Sequence, residues 1–582
     1  MADLAPFEVY GANDAALFTL KIFRGERMCL LGMNWKTGQP PNNFVGFGIE
    51  YMQPNQTAFS AVPNRLSFPG KTGTLSSLLS PIQKFRWVHF PPQPDLEGDY
   101  TYRVTPVFMD AAGNLTNGDT QTAAIQLESE TYPGVLNIAF TRGFVMSQAF
   151  TDKFQTGNTT QELLPGKNDD HLTFVSANPQ QAAALQWMGF KSRQLILDTL
   201  DAAIADPTAQ VRVAAYDLDL PEVVNRLVKL GSRLKIIIDD SDTKKPAGKF
   251  KNAAESLLVT STGDQTDPTQ RQFVKRGHLG TLQHSKTIAV KGNNLNVAIG
   301  GSTNFSWRGF YIQNNNAIVV KDAHTVGLFF AALDNLFANP DSPSGFAGTP
   351  SAEMVDLNLP GVQVSLAFSP HNSHNTCLQN IANDINTTQS SLMFSLAFLY
   401  QAPGPIYDSI YKVTNTAGMF VYGISDKAVQ GQKGKSDGLD FQAPDGNPPV
   451  AFPATLVGKV PEPFKSEYSG GAGINMHHKF VVIDFDKPTA RVYMGSYNFS
   501  GSADLENGEN LWQIKDRRVA VSYMIEAVSI FDHYEWRDAE SKATAAQPLE
   551  LQTPSATPWF LEDYTVPEKA KDRILFSQVS PA

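Results

Sequence analysis

The chain has 582 residues, 42% of them hydrophobic, and a formal net charge of −10 at pH 7. A length well beyond one domain of roughly 100–200 residues implies two or three units, each able to bury a core without staples. The acidic balance weighs against binding nucleic acid through an overall basic surface, although a local basic groove is compatible with it. The two cysteines, Cys29 and Cys377, stand far apart, fit no metal-ligand spacing and read as unpaired core thiols of a reducing compartment. The start, Met1-Ala-Asp-Leu-Ala-Pro-Phe, has no basic region followed by an apolar run, and no stretch reaches the ~20 apolar residues of a membrane span. No integral membrane segment is expected; the cytoplasm is the expected location, with signal-less export left open.

Residues 1–152 read as an all-β sandwich. Short apolar or alternating runs recur at Leu17-Phe-Thr-Leu-Lys-Ile-Phe, Phe44-Val-Gly-Phe-Gly-Ile-Glu-Tyr, Phe85-Arg-Trp-Val-His-Phe, Tyr100-Thr-Tyr-Arg-Val and Thr122-Ala-Ala-Ile-Gln-Leu. Turn clusters such as Gln39-Pro-Pro-Asn-Asn separate them. From about residue 155 strands and helices alternate. Leu172-Thr-Phe-Val is expected as a strand, 182–205 as a helix, Gln210-Val-Arg-Val-Ala-Ala-Tyr as a strand, 221–230 as a helix and Leu234-Lys-Ile-Ile-Ile-Asp as a strand. The same order returns with a strand from Val362, a helix at 377–385, a strand from Ser391, a helix at 404–413 and a strand from Gly418. Two α/β repeats follow, 153–350 and 351–582, the second ending in a tail whose Trp559 and Phe560 are expected to pack back on it. Each repeat carries a long polar stretch, 239–281 and 425–475, read as solvated loops whose lysines (244, 245, 249 and 251; 427, 433 and 435) could steer phosphate.

Two matched motifs carry the chemistry. The first repeat has Gln283-His284-Ser285-Lys286 and, further on, Gly300-Gly301-Ser302-Thr303-Asn304-Phe305-Ser306. The second has Met476-His477-His478-Lys479, Asp484, and Gly495-Ser496-Tyr497-Asn498-Phe499-Ser500. His and Lys two apart at the start of a strand share a face, so imidazole and ammonium point into one space. Two lysines neutralise phosphate oxygens as charge builds in the transition state. One neutral imidazole attacks phosphorus; the other, protonated, donates to the leaving oxygen and then takes a proton from water. The asparagines and Ser302 and Ser496 supply neutral hydrogen-bonding groups for the phosphate.

This layout resembles the phospholipase D superfamily, whose hallmark is a duplicated His-x-Lys-x4-Asp motif followed by Gly-Ser/Gly-x-Asn. The second copy matches throughout (His477, Lys479, Asp484, Gly495, Ser496, Asn498); the first has Lys291 where Asp is usual. The resemblance implies a pseudo-twofold α/β sandwich with both histidines in one cleft and a metal-independent phosphohistidine mechanism. It also implies a structural role for Asp484 and a role for Glu509 in orienting one of the histidines. Glu509 lies eleven positions after Asn498, and its counterpart is Asn315, so one histidine alone has a carboxylate partner. Which of the two it serves stays open. Separately, Gly98-Asp-Tyr-Thr-Tyr-Arg-Val resembles the late strands of a fibronectin type III domain.

The expected site is therefore His284, Lys286, His477, Lys479, Asn304, Asn498 and Glu509, with Ser302 and Ser496 in support and no cofactor or metal. His478 is expected on the opposite strand face, His278, His371 and His374 in polar loops, and Trp307 and Phe310 in a substrate wall or in the core. The expected reaction is phosphodiester hydrolysis, with phospholipid head groups as the favoured substrate and transfer to an alcohol as a variant. A metal-independent nuclease of the same superfamily and a non-catalytic scaffold are the alternatives, and the β-sandwich is free to bind a further partner.

Overall fold

The computed structural model describes residues 4–143, 169–241, 249–425, 476–544 and 546–578, with short pieces at 150, 153–154, 163–166, 429 and 450–451. These form two compact units. One holds the described residues up to Thr131 together with those from Val521 onward; the other holds those from Tyr132 to Ala520. The lysines expected at 244, 245, 427, 433 and 435 lie outside the described residues.

Beside a two-stranded sheet, Pro63–Asn64 with Leu75–Ser76, the first unit contains two main antiparallel sheets. One runs in the order Glu8–Tyr10, Phe18–Arg24, Cys29–Trp35, Arg86–His89; the other is built on Asp99–Met109 and Phe44–Met52. Alternation drives the pairing: Gln121–Gln126 buries every second residue. Phe18, Leu20, Leu31 and Met33 of one sheet share a core with Phe47, Ile49, Tyr102 and Val104 of the other. Contrary to expectation, the C-terminal segment belongs to this core and not to the second repeat. Phe560 is buried in it, and Trp559 packs 5.7 Å from Phe44 and 5.3 Å from Phe85. The reason is a match of aromatic surface with one polar anchor: Phe560 packs 6.0 Å from Phe44, and Trp559 Nε1 donates to the Phe44 carbonyl (3.2 Å). The helix Pro567–Ser577 then lies on the strand Cys29–Trp35 so closely that a Cβ on Gly32 would stand 2.1 Å from the Phe576 carbonyl.

The second unit contains two sheets of one plan. The first orders Leu136–Phe140, Asn316–Val320, Asn296–Gly301, Thr287–Lys291, Gln210–Ala215, Leu234–Asp239 and Val274–Gly277. The second orders Gln363–Ser369, Glu509–Lys515, Arg491–Gly495, Lys479–Ile483, Ser391–Leu396, Phe420–Ile424 and Val450–Ala451, with Val355–Asp356 added at its edge. The repeats thus correspond strand for strand, in a mixed α/β fold. Their opening strand is not the one expected. Leu172–Val175 is a turn closed by Asp170, and Val175 is 85% exposed. The strand is Leu136–Phe140, which lies inside the stretch read as sandwich but is buried at every residue, as a strand covered on both faces must be. The polar stretch 239–281 also carries the helix Lys249–Thr262 and the strand Val274–Gly277.

Removing the aromatic plug should weaken the sandwich. Phe560→Ala is expected to cost about 3–5 kcal/mol in the unfolding of the first unit, read by urea denaturation with a probe in the sandwich. A loss below 1 kcal/mol would show that the C-terminal segment is not part of that core.

Candidate active site

The strands Thr287–Lys291 and Lys479–Ile483 each begin on their motif, and each is entered from the other repeat. Gln283 bridges Gly508 in parallel, and Asn314 bridges Met476. His284 N–H donates to the Gly508 carbonyl (2.8 Å) and His477 N–H to the Asn314 carbonyl (3.2 Å). The neighbouring side chains follow the backbone across. His284 Nδ1 lies 2.9 Å from both oxygens of Glu509, and His477 Nδ1 lies 2.8 Å from Asn315 Oδ1. Each ring therefore donates from Nδ1 and keeps an Nε2 lone pair. Glu509 serves the histidine of the other repeat.

The two imidazole centroids are 6.5 Å apart. Lys479 Nζ donates to its own His477 carbonyl (2.6 Å), and Lys286 Nζ donates likewise to His284. Sequence reasoning missed the ring beneath each pair. Tyr216 packs edge-on to His284 at 4.7 Å and lies 4.6 Å from Lys286 Nζ; Phe398 lies 6.4 Å from His477 and 5.4 Å from Lys479 Nζ. Their trace in the sequence is an aromatic residue just past the end of the strand beside each motif.

Asn304 is buried and Asn498 half-buried, and the Oδ1 of each finds no hydrogen-bond partner among the described residues. An open Oδ1 is an acceptor and suits a hydrogen-bond donor on a ligand; toward a phosphate oxygen only the Nδ2 group of the same amide can donate. Ser302 and Ser496 are a correction. Both are fully buried; their hydroxyls accept from the Asn316 and Asn510 backbone N–H (3.0 Å each), and Ser302 Oγ also donates to Asn315 Oδ1 (2.9 Å). They brace the site from behind. The glycines before them are needed: Gly301 and Gly495 have φ of 126° and 141°, and a Cβ would stand 2.5 and 2.1 Å from the carbonyls of Asn316 and Asn510.

Asp484 is buried away from the paired histidines and accepts the backbone N–H of Gln389 (2.9 Å) and Ser390 (2.8 Å), tying two strand ends. Its counterpart Lys291 is exposed, and Asp206 instead accepts the Thr208 N–H (2.8 Å) in the first repeat, so the exchange leaves that strand end paired. His478 is buried against Phe140 and Phe480, and Trp307 and Phe310 are core residues. His278 lies between Asp240 (2.8 Å) and Asp341 (3.1 Å), and His374 is exposed. His371 is buried, not in a solvated loop. It lies 2.7 Å from Asp504 and 3.7 Å from Cys377 Sγ, and Asp504 also takes Thr376 Oγ1 and the backbone N–H groups of Cys377 (3.1 Å) and Leu378 (3.4 Å), so its oxygens already work within the fold.

Burial governs the electrostatics. It pushes His284 down to about 4 despite the opposing Glu509 carboxylate, and Lys286 down to about 7. It also holds His477 well below the usual imidazole range, with Lys479 and Lys286 adding to the effect. A buried group of basic side chains is costly when charged and is relieved by an anion.

Two matched α/β repeats that exchange the supports of their His/Lys pairs define a class of duplicated phosphodiesterase-type folds. The family model described as "Cardiolipin synthase, PLD-like domain" matches residues 200–337 and 381–530. The chain belongs to the phospholipase D superfamily, whose members are phosphodiesterases or phospholipid-modifying enzymes. No curated protein sequence matches it. Among solved structures it is similar to a phosphatidylserine synthase from Haemophilus influenzae Rd KW20 (14% identity, 67% of this chain and 94% of that one, TM-score 0.41). It is also similar to the phospholipase D family member Nuc from Salmonella typhimurium (23% identity, 25% of this chain and 86% of that one, TM-score 0.19). Among the described residues, no helix is long and apolar enough to cross a membrane.

The depressed Lys286 has a sign that can be checked. Its folded value of about 7 lies below the ordinary 10.5. The unfolded chain therefore binds the extra proton between those values, and stability rises with pH across that window. The thermal unfolding temperature of Lys286→Met relative to the ligand-free wild type is expected to be higher at pH 6 than at pH 10, read at both pH values. An equal or reversed difference would mean that the ammonium is already neutralised by the fold.

Proposed function

We propose that the chain is a phosphodiesterase working through a phosphohistidine, with His284 as nucleophile and His477 as general acid and base. The observation that carries this reading is the pair of imidazoles facing each other at 6.5 Å, only one of which has a carboxylate behind it. Glu509 accepts the Nδ1 proton of His284 and makes its Nε2 the stronger nucleophile. His477, backed by a neutral amide, is the weaker base and so the stronger acid. The anionic substrate raises both imidazoles from their depressed values, which lets His477 carry its proton in the complex.

His284 Nε2 bonds to phosphorus while the bond from phosphorus to the departing oxygen breaks, and the His477 proton goes to that oxygen. Neutral His477 then takes a proton from water, whose oxygen attacks phosphorus as the phosphorus–nitrogen bond breaks. Lys286 and Lys479 through Nζ, and Asn304 and Asn498 through Nδ2, donate to the non-bridging oxygens. An alcohol entering in place of water gives transfer in place of hydrolysis. The description of the matching family model, a cardiolipin synthase, supports a phospholipid diester and such a transfer. A nuclease is the second reading, motivated by Asn-Phe-Ser in both copies; Phe305 and Phe499 are packed in the interior, however, which removes them as readers of a base.

The test is hydrolysis of p-nitrophenyl and alkyl phosphodiesters with excess chelator. His284→Ala is expected to abolish turnover of both. His477→Ala should lose about 10²–10⁴-fold on the alkyl ester and less on p-nitrophenyl, whose departure needs no acid. Acid-labile phosphate should be trapped on protein in His477→Ala and be absent in His284→Ala. Full activity in either variant, or loss of wild-type activity to the chelator, would sink the mechanism; lipid and DNA panels then separate the two substrates.

A further inference from the structure

Lys251 stands in the polar stretch 239–281, where the sequence suggests a solvated lysine, yet the structure buries it to 3% exposure. The helix Lys249–Thr262 carries it to the His284 half of the site. Its Nζ lies 3.2 Å from Asp239 Oδ2, 3.9 Å from Asp217 Oδ1 and 4.8 Å from the centre of the Tyr216 ring. Lys286 Nζ lies 4.6 Å from the centre of that same ring, and His284 packs edge-on to it at 4.7 Å. One aromatic ring is thus shared by two ammonium groups and the His284 imidazole.

Asp239 ends the strand Leu234–Asp239 and is fully buried. Its Oδ1 accepts the N–H of Gln283 (3.0 Å), the residue before His284, and its Oδ2 accepts the Ser241 N–H (3.1 Å). The carboxylate therefore holds the entry to the motif strand. A carboxylate taken out of water needs a cation beside it, and Lys251 is in contact with it. Both members of this ion pair also act on Lys286: the Asp239 charge favours its ammonium, and the Lys251 charge opposes it. The Glu509 and Asp217 carboxylates act on Lys286 as well, and His284, His477, Lys479 and Arg308 complete the charged and titratable groups of the site.

We propose that Lys251 is a positioning residue of the His284 half, whose ion pair with Asp239 sets the field in which Lys286 holds its proton, and with it the pH range over which the site takes an anion. This rests on the phosphodiesterase reading above for the use of Lys286 as a phosphate donor. Lys286 binds an anion as its ammonium. Removing Lys251 takes away a like charge, so Lys286 keeps its proton to higher pH; removing the Asp239 charge does the reverse. At an effective dielectric constant near 20, a unit charge about 9 Å away moves a titration by about one pH unit. An ion pair that served stability alone would move it in neither direction.

The full chain is assayed from about pH 5 to 10 in two ways, by kcat/KM on a p-nitrophenyl phosphodiester and by calorimetric affinity for sulfate. Sulfate does not titrate in that range and p-nitrophenol leaves without an acid, so the fall in each profile with rising pH reports Lys286. Lys286→Met should remove that fall from the sulfate profile. The wild-type fall is expected near about 7. Lys251→Met should carry it up by about one pH unit, Asp239→Asn should carry it down, and the double variant should return it toward the wild type. Lys251→Arg, which keeps the charge, should leave it in place. A fall in Lys251→Met at the wild-type pH or below, whatever the loss of rate, would overturn the proposal. If Lys251→Met does not fold, the double variant must fall at higher pH than Asp239→Asn, and an equal or lower pH overturns the proposal in the same way. A wild type inactive on the diester but with these sulfate profiles would bring down the phosphodiesterase reading and leave the role of the ion pair standing.

Discussion

The site depends on one exchange of backbone hydrogen bonds. The segment entering each motif strand pairs with the segment entering the last strand of the other repeat, through Gly508 N–H to the Leu282 carbonyl (2.9 Å) and His284 N–H to the Gly508 carbonyl (2.8 Å) on one side. The other side repeats it through Asn314 and His477. Glu509 and Asn315 each lie one residue past such a bridge, so a side chain that is remote in sequence arrives at Nδ1 of the facing histidine with no freedom left to lose. Preorganisation of this kind fixes tautomer and direction before substrate arrives. Neither repeat alone can build a supported histidine.

Everything behind the site keeps that exchange in place. Asn510 Nδ2 donates to Ser496 Oγ (2.9 Å), while its Oδ1 accepts from Gly301 N–H of the first repeat (2.9 Å) and from Trp512 Nε1 (3.0 Å). Gly300 gives Trp512 its room, since a Cβ there would stand 2.8 Å from the indole nitrogen. The helix Ala323–Ala338 of the first repeat sets Phe329 5.8 Å from Trp512 and 5.0 Å from Phe368 of the second. Packing and polar bonds thus join the two sheets around the histidines. The resulting burial depresses the basic groups and makes an anionic ligand the natural occupant.

The departures from the duplicated pattern acquire physical meaning in this setting. Asn315, where a second carboxylate would stand, holds His477 by its amide oxygen, so the two imidazoles differ in basicity and not in position. Lys291 replaces an aspartate whose work at Gln389 and Ser390 has no equivalent need in the first repeat, because Asp206 closes that turn. Drift of this kind does not remove a part of the site, and it weakens the reading of the chain as a scaffold.

The sequence by itself determined the two-repeat plan, both His/Lys pairs, the Gly-Ser-x-Asn turns and the presence of one unmatched carboxylate. These rest on local spacing: residues two apart on a strand share a face, and glycine is required where the backbone turns with positive φ. Only the tertiary structure decided that Glu509 supports His284, that Ser302 and Ser496 lie behind the site, that Tyr216 and Phe398 floor it and that Trp559 and Phe560 close the sandwich. It also decided that Leu136–Phe140 opens the first repeat in place of Leu172–Val175. Each of these is a choice between chemically similar partners at long sequence separation. Local propensity is silent on such choices, because the backbone bridges, the aromatic surfaces and the burial that settle them exist only once the strands have assembled.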